Sequence, residues 1–239
     1  MKIDGYTRMA AVIAKPIRHT ISPFIHNHAY QLTATNAVYL AWEVEEDEVA
    51  QSLQQLRVLD MLGANISMPY KKKVLPYLDK VDEYAQLIGS VNTIVQKDGR
   101  LTGYNTDGLG FLKSLPKNFC IDKKKMVLLG AGGAATAIVV EAIRQGVGEI
   151  HLFVRPESLT KYQAIFSRLS EVLAFSIVLH DLSSRDQLNA TIEGTNLLIN
   201  ATGLGMDGFS LPIPKDFIFP KGCLVADLAY FPVKTPFLQ

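Results

Sequence analysis

The sequence predicts an α/β protein whose C-terminal half is a doubly wound parallel sheet, and three observations carry that prediction. Met126-Val127-Leu128-Leu129 is an apolar run with no polar face, as expected of a strand covered on both sides. It passes directly into the glycine turn Gly130-Ala131-Gly132-Gly133-Ala134 and then into an apolar helix, Ala135 to Gln145, with Gly146 as its stop. A second apolar strand, Ile150 to Val154, follows at the distance one βαβ unit requires.

The glycine turn has a chemical reading. Gly130, Gly132 and Gly133 allow a sharp turn and leave no Cβ where a pyrophosphate would lie, and the following helix aims its unpaired N–H groups and positive dipole end at that anion. Ala135 stands where a G-x-G-x-x-G pattern has its third glycine, so the strand and helix context carries the assignment more than the motif does.

The chain before this unit reads in order as α/β. Met9 to Ala14 is a first strand, followed by the proline-marked loop Lys15 to Pro23 and a helix from about Phe24. Thr20 and Ser22 place two hydroxyls beside that helix start, an arrangement suited to a carboxylate, although a serine there also serves as a plain cap. His19, His26 and His28 share no ligand spacing with another cluster and read as surface or loop residues. Val38 to Val44 is a second strand, and Glu45 to Leu59 an amphipathic helix burying Val49, Leu53 and Leu56. Gly63 to Ser67 is a third strand with Asn65 and Ser67 at its end, stopped by Pro69 and followed by a helix that carries Lys71, Lys72 and Lys73. Successive helical residues point about 100° apart, so at most one lysine of the three faces a given pocket, and Lys71 is nearest the strand.

Glu83 to Ile88 is a helix closed by Gly89, after which Ser90 to Thr93 opens a strand that turns at Asp98-Gly99 and returns through Leu101 to Tyr104. Thr106 and Asp107 start a helix to about Leu115, and Pro116 to Lys125 is a linker. Beyond the glycine turn come a strand (Ile150 to Val154), a helix (Leu159 to Leu173) and strands at Phe175 to Leu179, Leu197 to Asn200 and Leu224 to Leu228.

At 239 residues the chain suits two domains, each with its own core. A formal net charge of +1 and no basic stripe exclude nucleic acid and anionic membrane as expected partners. The apolar run Met9 to Ala14 is too short to span a bilayer and lacks a cleavage pattern, so a cytoplasmic location is expected. Cys120 and Cys223 lie in unrelated contexts without metal spacing, and neither a disulfide nor a metal site is expected.

Taken together, His19 to Pro23, Asn65 to Lys71, Ser90 to Thr93, Asn105 to Gly108, Gly130 to Ala134 and Asn200 to Met206 resemble the shikimate dehydrogenase family, including its quinate/shikimate branch. The resemblance runs over almost the whole chain. It implies an N-terminal α/β substrate domain (1–105) and a Rossmann-type NAD(P) domain (106–239) around a cleft, with 3-dehydroshikimate reduced to shikimate by NADPH in aromatic amino acid biosynthesis. The implied catalytic residues are Lys71 and Asp107, and the implied substrate residues are Thr20, Ser22, Asn65, Ser67, Asn92 and Tyr230. For the cofactor the resemblance implies Gly130, Ala131, Gly132, Gly133, Ala134, Arg155, Thr202 and Met206. The protein would act on small molecules as a monomer or homodimer.

Two departures from the family pattern matter. NADP-selective members resemble Asn-Arg-Thr after the second strand of the nucleotide domain, whereas this chain has Val154-Arg155-Pro156-Glu157. Arg155 can meet a 2′-phosphate, yet Glu157 adds a negative charge of the kind with which NAD enzymes hold ribose hydroxyls. NADP is the expected cofactor, with NAD, and quinate as substrate, as the alternative. Second, family members continue past the segment matching Thr235 to Gln239 into further helices and a glutamine that contacts substrate. The expectation is therefore nucleotide binding with poor turnover, and the rival from another class is a non-catalytic dinucleotide sensor.

Overall fold

The computed structural model describes residues 3–239, Met1 and Lys2 lying outside it. The chain divides into two compact units, the first ending at Thr106 and the second running from Asp107 to Gln239. Among the described residues no helix is long and apolar enough to cross a membrane.

The first unit is a six-stranded mixed sheet. Strands β1 (Arg8–Ala14), β2 (Ala37–Glu43) and β3 (Gly63–Ile66) are parallel, with β1 in the middle. Beyond β3 lie the short β4 (Lys80–Val81) and the antiparallel hairpin β5 (Thr93–Lys97) and β6 (Arg100–Tyr104), giving the order β2-β1-β3-β5-β6-β4. The hairpin turns through Asp98 and Gly99, both at positive φ, as the Asp-Gly pair leads one to expect.

Strand alternation assigns the two faces. Ala11, Ile13, Ala64, Ile66, Ile94 and Leu101 pack against Val49, Leu53 and Leu56 of helix α2 (Val49–Val58). Ala10, Val12, Ala14 and Tyr39 form the opposite cluster with Ile17, against which Tyr30 of helix α1 (Ser22–Leu32) packs. Helix α3 (Glu83–Ile88) is capped by Asp82, whose Oδ2 accepts from the Tyr84 N–H at 3.1 Å, and is closed by Gly89 at φ 68°.

Local details differ from the sequence reading. The helix expected over Glu45 to Leu59 splits into a 3₁₀ turn, Glu46–Glu48, and α2, because Glu45 and Glu48 form a capping box. No α-helix follows Pro69. Residues 68–74 are turns leading into a 3₁₀ segment, Leu75–Tyr77, since Pro76 lacks an N–H and disfavours α geometry at Leu75.

The second unit is an all-parallel five-stranded sheet. It comprises β7 (Lys125–Leu129), β8 (Glu149–Val154), β9 (Ile177–Asp181), β10 (Leu197–Asn200) and β11 (Leu224–Asp227), in the order β11-β10-β7-β8-β9. The strand order reverses between β7 and β10, the switch point where such sheets bind ligands. Helices α4 (Asp107–Ser114), α5 (Gly133–Arg144) and α6 (Leu159–Leu173) match the expected segments to within two residues.

Strand β9 starts two residues later than its apolar pattern, because Ala174, at φ 49°, ends α6 and the Phe175 N–H turns back to the Ser170 carbonyl. Helix α7 (Arg185–Ile192) was not expected from the sequence. Parallel β9 and β10 need a crossover, and α7 supplies it, burying Leu188 and Ile192 one turn apart.

The closest backbone approach in this unit is at Gly108 of α4, where a Cβ would lie 2.2 Å from the Ala137 carbonyl oxygen of α5. Alanine gains about 1 kcal/mol of helix propensity over glycine. Overpacking against backbone costs about 1–3 kcal/mol, and here no rotamer relieves it. Gly108→Ala is therefore expected to lower stability by up to about 2 kcal/mol, read as a lower urea midpoint.

Candidate active site

In the first unit the polar candidates collect at one end of the sheet. Ser67 follows β3, and its N–H donates to the Ile13 carbonyl at 3.0 Å. The Ile66 N–H donates to the Asn92 carbonyl at 2.8 Å, and the Asn92 N–H to the Tyr104 carbonyl at 3.0 Å, so β3, Asn92 and the end of β6 are stitched together.

Their side chains continue the stitching. Asn65 Nδ2 donates to the Asn92 carbonyl at 3.3 Å and to Thr93 Oγ1 at 3.2 Å. Asn92 Oδ1 accepts from Thr93 Oγ1 at 2.8 Å and from the Thr106 N–H at 3.0 Å. These amides are thus held by the protein in fixed orientations, which a site must do to read ligand hydroxyls.

The three lysines separate. Lys73 pairs with Glu46 at 2.5 Å and Lys72 is exposed, whereas Lys71 is half-buried and its carbonyl accepts the Val91 N–H at 2.8 Å, one residue from Asn92. The turn conformation, not a helix, makes this separation. Asp107 is half-buried and opens α4, next to the tethered Thr106.

Ser22 does not cap α1. It is the first helical residue, and its N–H donates to Thr20 Oγ1 at 3.2 Å while Thr20 Oγ1 donates to Ser22 Oγ at 3.0 Å. The two hydroxyls therefore stand together at the helix start. His19 and His28 are exposed as expected, but His26 is not a plain surface residue: its ring stacks on Tyr39 at 4.1 Å and burial lowers its pKa.

The second unit contains a cavity of about 330 Å³ at the carboxyl ends of β7, β8 and β10. Its floor is Gly130, Ala131 and Gly132, and Arg155 and Thr202 stand in its wall. Gly133 and Ala134 lie in the first turn of α5, and Met206 is exposed on the loop beyond Gly203, so these three are outside the wall. Phe153, Val154, Ser158, Tyr162, Leu182, Ala201 and Leu204 complete the lining; Val154, Ala201 and Leu204 fall within stretches singled out in the sequence, whereas no local pattern marked Phe153, Ser158, Tyr162 and Leu182 as wall residues.

Two glycines show that the turn fits a dinucleotide. At Gly130, φ is 96° and a Cβ would meet the Ala201 carbonyl oxygen at 2.8 Å, so only glycine lets β10 approach. At Gly132 no atom lies within 4 Å of a Cβ position, leaving the open cradle that a pyrophosphate needs. Buried Asn200 shapes the facing loop: its Oδ1 accepts from the Thr202 hydroxyl at 2.7 Å and the Thr202 N–H at 3.1 Å, and its Nδ2 donates to the Leu204 carbonyl at 3.0 Å.

At the rim, Arg155 Nε pairs with Glu157 Oε1 at 3.2 Å, both side chains exposed. Tyr230 is 71% exposed, three residues past β11, and is not part of this cavity.

Residues 12–94 match the family described as the shikimate dehydrogenase substrate binding domain. The shikimate dehydrogenase (NADP(+)) of Streptococcus gordonii is 55% identical over 239 residues, which is all of this chain and 84% of that protein. The crystal structure of shikimate 5-dehydrogenase from Listeria monocytogenes in complex with shikimate and NAD superposes with a TM-score of 0.91 at 38% identity, covering all of this chain and 84% of that one. The Thermus thermophilus enzyme in complex with NADP(H) and shikimate gives 0.81 at 31%, covering 97% and 82%. An identity this high over the full length, with the same fold beneath it, makes the chain a member of the shikimate dehydrogenase family.

Proposed function

We propose that this chain is an oxidoreductase that reversibly reduces 3-dehydroshikimate to shikimate with NADPH, within aromatic amino acid biosynthesis. In this reading the first unit binds the substrate and the second the nucleotide. The observation that carries it is the state of Lys71, half-buried and anchored beside the Asn65–Asn92 cluster while its two neighbours face solvent or a surface acid.

The chemistry follows from the residue types. NADPH supplies a hydride to the ketone carbon. Negative charge then develops on the former carbonyl oxygen, where the Lys71 ammonium both stabilises it and delivers the proton. Asp107 orients that lysine and accepts from a ring hydroxyl. Asn65 and Asn92 fix ring hydroxyls, and Thr20, Ser22 and Ser67 hold the substrate carboxylate with their hydroxyls. Tyr230 lines the substrate end.

Toward the cofactor, the turn from Gly130 to Ala134 receives the pyrophosphate, Arg155 meets the 2′-phosphate, and Thr202 and Met206 flank the nucleotide. The Arg155–Glu157 pair favours a second reading, NAD with quinate, because the acid already occupies the guanidinium that a 2′-phosphate would use.

Initial rates of nicotinamide reduction, with shikimate and quinate each offered alongside NADP and NAD, test both readings. Shikimate with NADP is expected to be fastest; quinate with NAD would establish the second reading, and no substrate-dependent reduction with any pair would overturn both. Lys71→Ala is expected to lower kcat/KM by roughly 10²-fold or more while NADP affinity, measured by fluorescence titration, changes little. Exposed ion pairs are worth about 0.2–1 kcal/mol, so Glu157→Gln is expected to tighten NADP binding by only about two- to five-fold and to leave NAD binding unimproved.

A further inference from the structure

Tyr39 sits on β2 among the core residues, 2% exposed, and everything about it except its hydroxyl is fastened by something else. Its backbone N–H donates to Asn27 Oδ1 at 2.8 Å, and its carbonyl accepts from Asn27 Nδ2 at 2.9 Å. Its ring stacks on His26 with an interplanar angle of 5°. In the strand register Ala10 of β1 lies opposite both Tyr39 and Gly63, so β1 carries a small residue where the phenol must reach toward β3. There Tyr39 Oη donates to Asn65 Oδ1 at 2.6 Å.

The direction of this hydrogen bond is fixed. Asn65 could be turned over only by aiming its oxygen at the Asn92 carbonyl, an acceptor with no proton to give. With the amide held this way, donors run in one sense from Tyr39 Oη to Asn65 Oδ1, from Asn65 Nδ2 to Thr93 Oγ1, and from Thr93 Oγ1 to Asn92 Oδ1. Burial raises the pKa of the phenol, which keeps the first donor protonated. Bonds aligned in one sense polarise and strengthen one another.

The geometry points to Tyr39 as a positioning residue for substrate binding, one that orients Asn65, and through Thr93 also Asn92, toward the ring hydroxyls of shikimate. The inference rests on the reading of the first unit as the substrate-binding one. Both N–H groups of Asn65 are taken by Asn92 and Thr93, so its remaining capacity is the second lone pair of Oδ1. Asn65 therefore meets the substrate as an acceptor, receiving a hydrogen bond from one ring hydroxyl. Without the phenol proton, the amide loses one of the three hydrogen bonds that hold it, the one at the oxygen that meets the substrate, and part of the substrate's binding energy goes into ordering it.

Tyr39→Phe removes the hydroxyl and leaves the ring stack and the Asn27 bonds available. Shikimate binding should be measured by calorimetry on wild type and Tyr39→Phe with NADPH present, which cannot take a hydride from shikimate, and repeated with each of the three singly deoxygenated shikimates. The expected result is about a ten-fold weaker Kd for shikimate in the variant, a KM raised in parallel, kcat changed by less than about three-fold and NADP affinity unchanged. The difference between wild type and variant should be smallest for one deoxy analogue, the one lacking the hydroxyl that Asn65 receives.

Thr93→Val breaks the same donor chain at the link between Asn65 and Asn92 and should likewise penalise the four ligands unequally, which keeps the test open if Tyr39→Phe fails to fold. An equal penalty for all four ligands in both variants, or no penalty, overturns the inference while leaving the functional reading intact. A wild-type chain that neither binds nor oxidises shikimate overturns both.

Discussion

A parallel sheet covered on both faces can offer a ligand only the ends of its strands, and that constraint places nearly every polar group discussed above. In the second unit β7 and β10 are buried along their length apart from the first residue of β7, so side chains along them have no route to solvent. Where they stop, the chain must turn, and at the carboxyl ends of β7, β8 and β10 the turns bring Gly130, Arg155 and Thr202 around one cavity. In the first unit the same rule holds for β1 and β3. Their carboxyl ends lead to Thr20, Ser22, Ser67 and Lys71, while the residues within the strands mostly serve the cores on either face.

That regularity explains what the sequence revealed. Met126 to Leu129, Ile150 to Val154 and Leu197 to Asn200 are uninterrupted apolar runs, and each forms a strand within one residue of its expected limits. Helix α7 escaped because Arg185 to Ile192 is mostly polar, with Leu188 and Ile192 as its only large apolar residues. Pro76 undid the helix expected after Pro69, and the left-handed Ala174 displaced the start of β9, since single backbone states of this kind have no periodic signature. The cavity wall was half legible: Gly130, Ala131, Gly132, Arg155 and Thr202 belong to short motifs, whereas Phe153, Tyr162 and Leu182 join it only through tertiary packing. Tyr39 was invisible for a related reason. In Val38 to Val44 a tyrosine looks like any strand aromatic, and only the fold reveals that its hydroxyl meets Asn65.

Under the proposed function, the rim of the second unit's cavity illustrates how little energy separates two nucleotide preferences. Arg155 and Glu157 lie two residues apart and both are solvent-exposed, so their pairing is screened and easily exchanged for another anion. A factor of ten in preference corresponds to about 1.4 kcal/mol, which one such charge can approach but does not exceed. In the proposed reading the turn itself is indifferent, because backbone N–H groups and the open space over Gly132 suit the pyrophosphate common to both nucleotides.

The contact between Asn27 and Tyr39 reaches beyond the site. Strand β2 is at the border of its sheet, with β1 on one side and, among the described residues, no strand on the other. The Tyr39 peptide group on that open side is engaged in both directions by the carboxamide of Asn27, which imitates a neighbouring strand for the length of one residue. An incoming β-segment would have to displace that imitation before it could extend the ladder. A side chain that steadies the interior thus also guards the margin against runaway strand addition, a protection written into α1 and not into β2 itself.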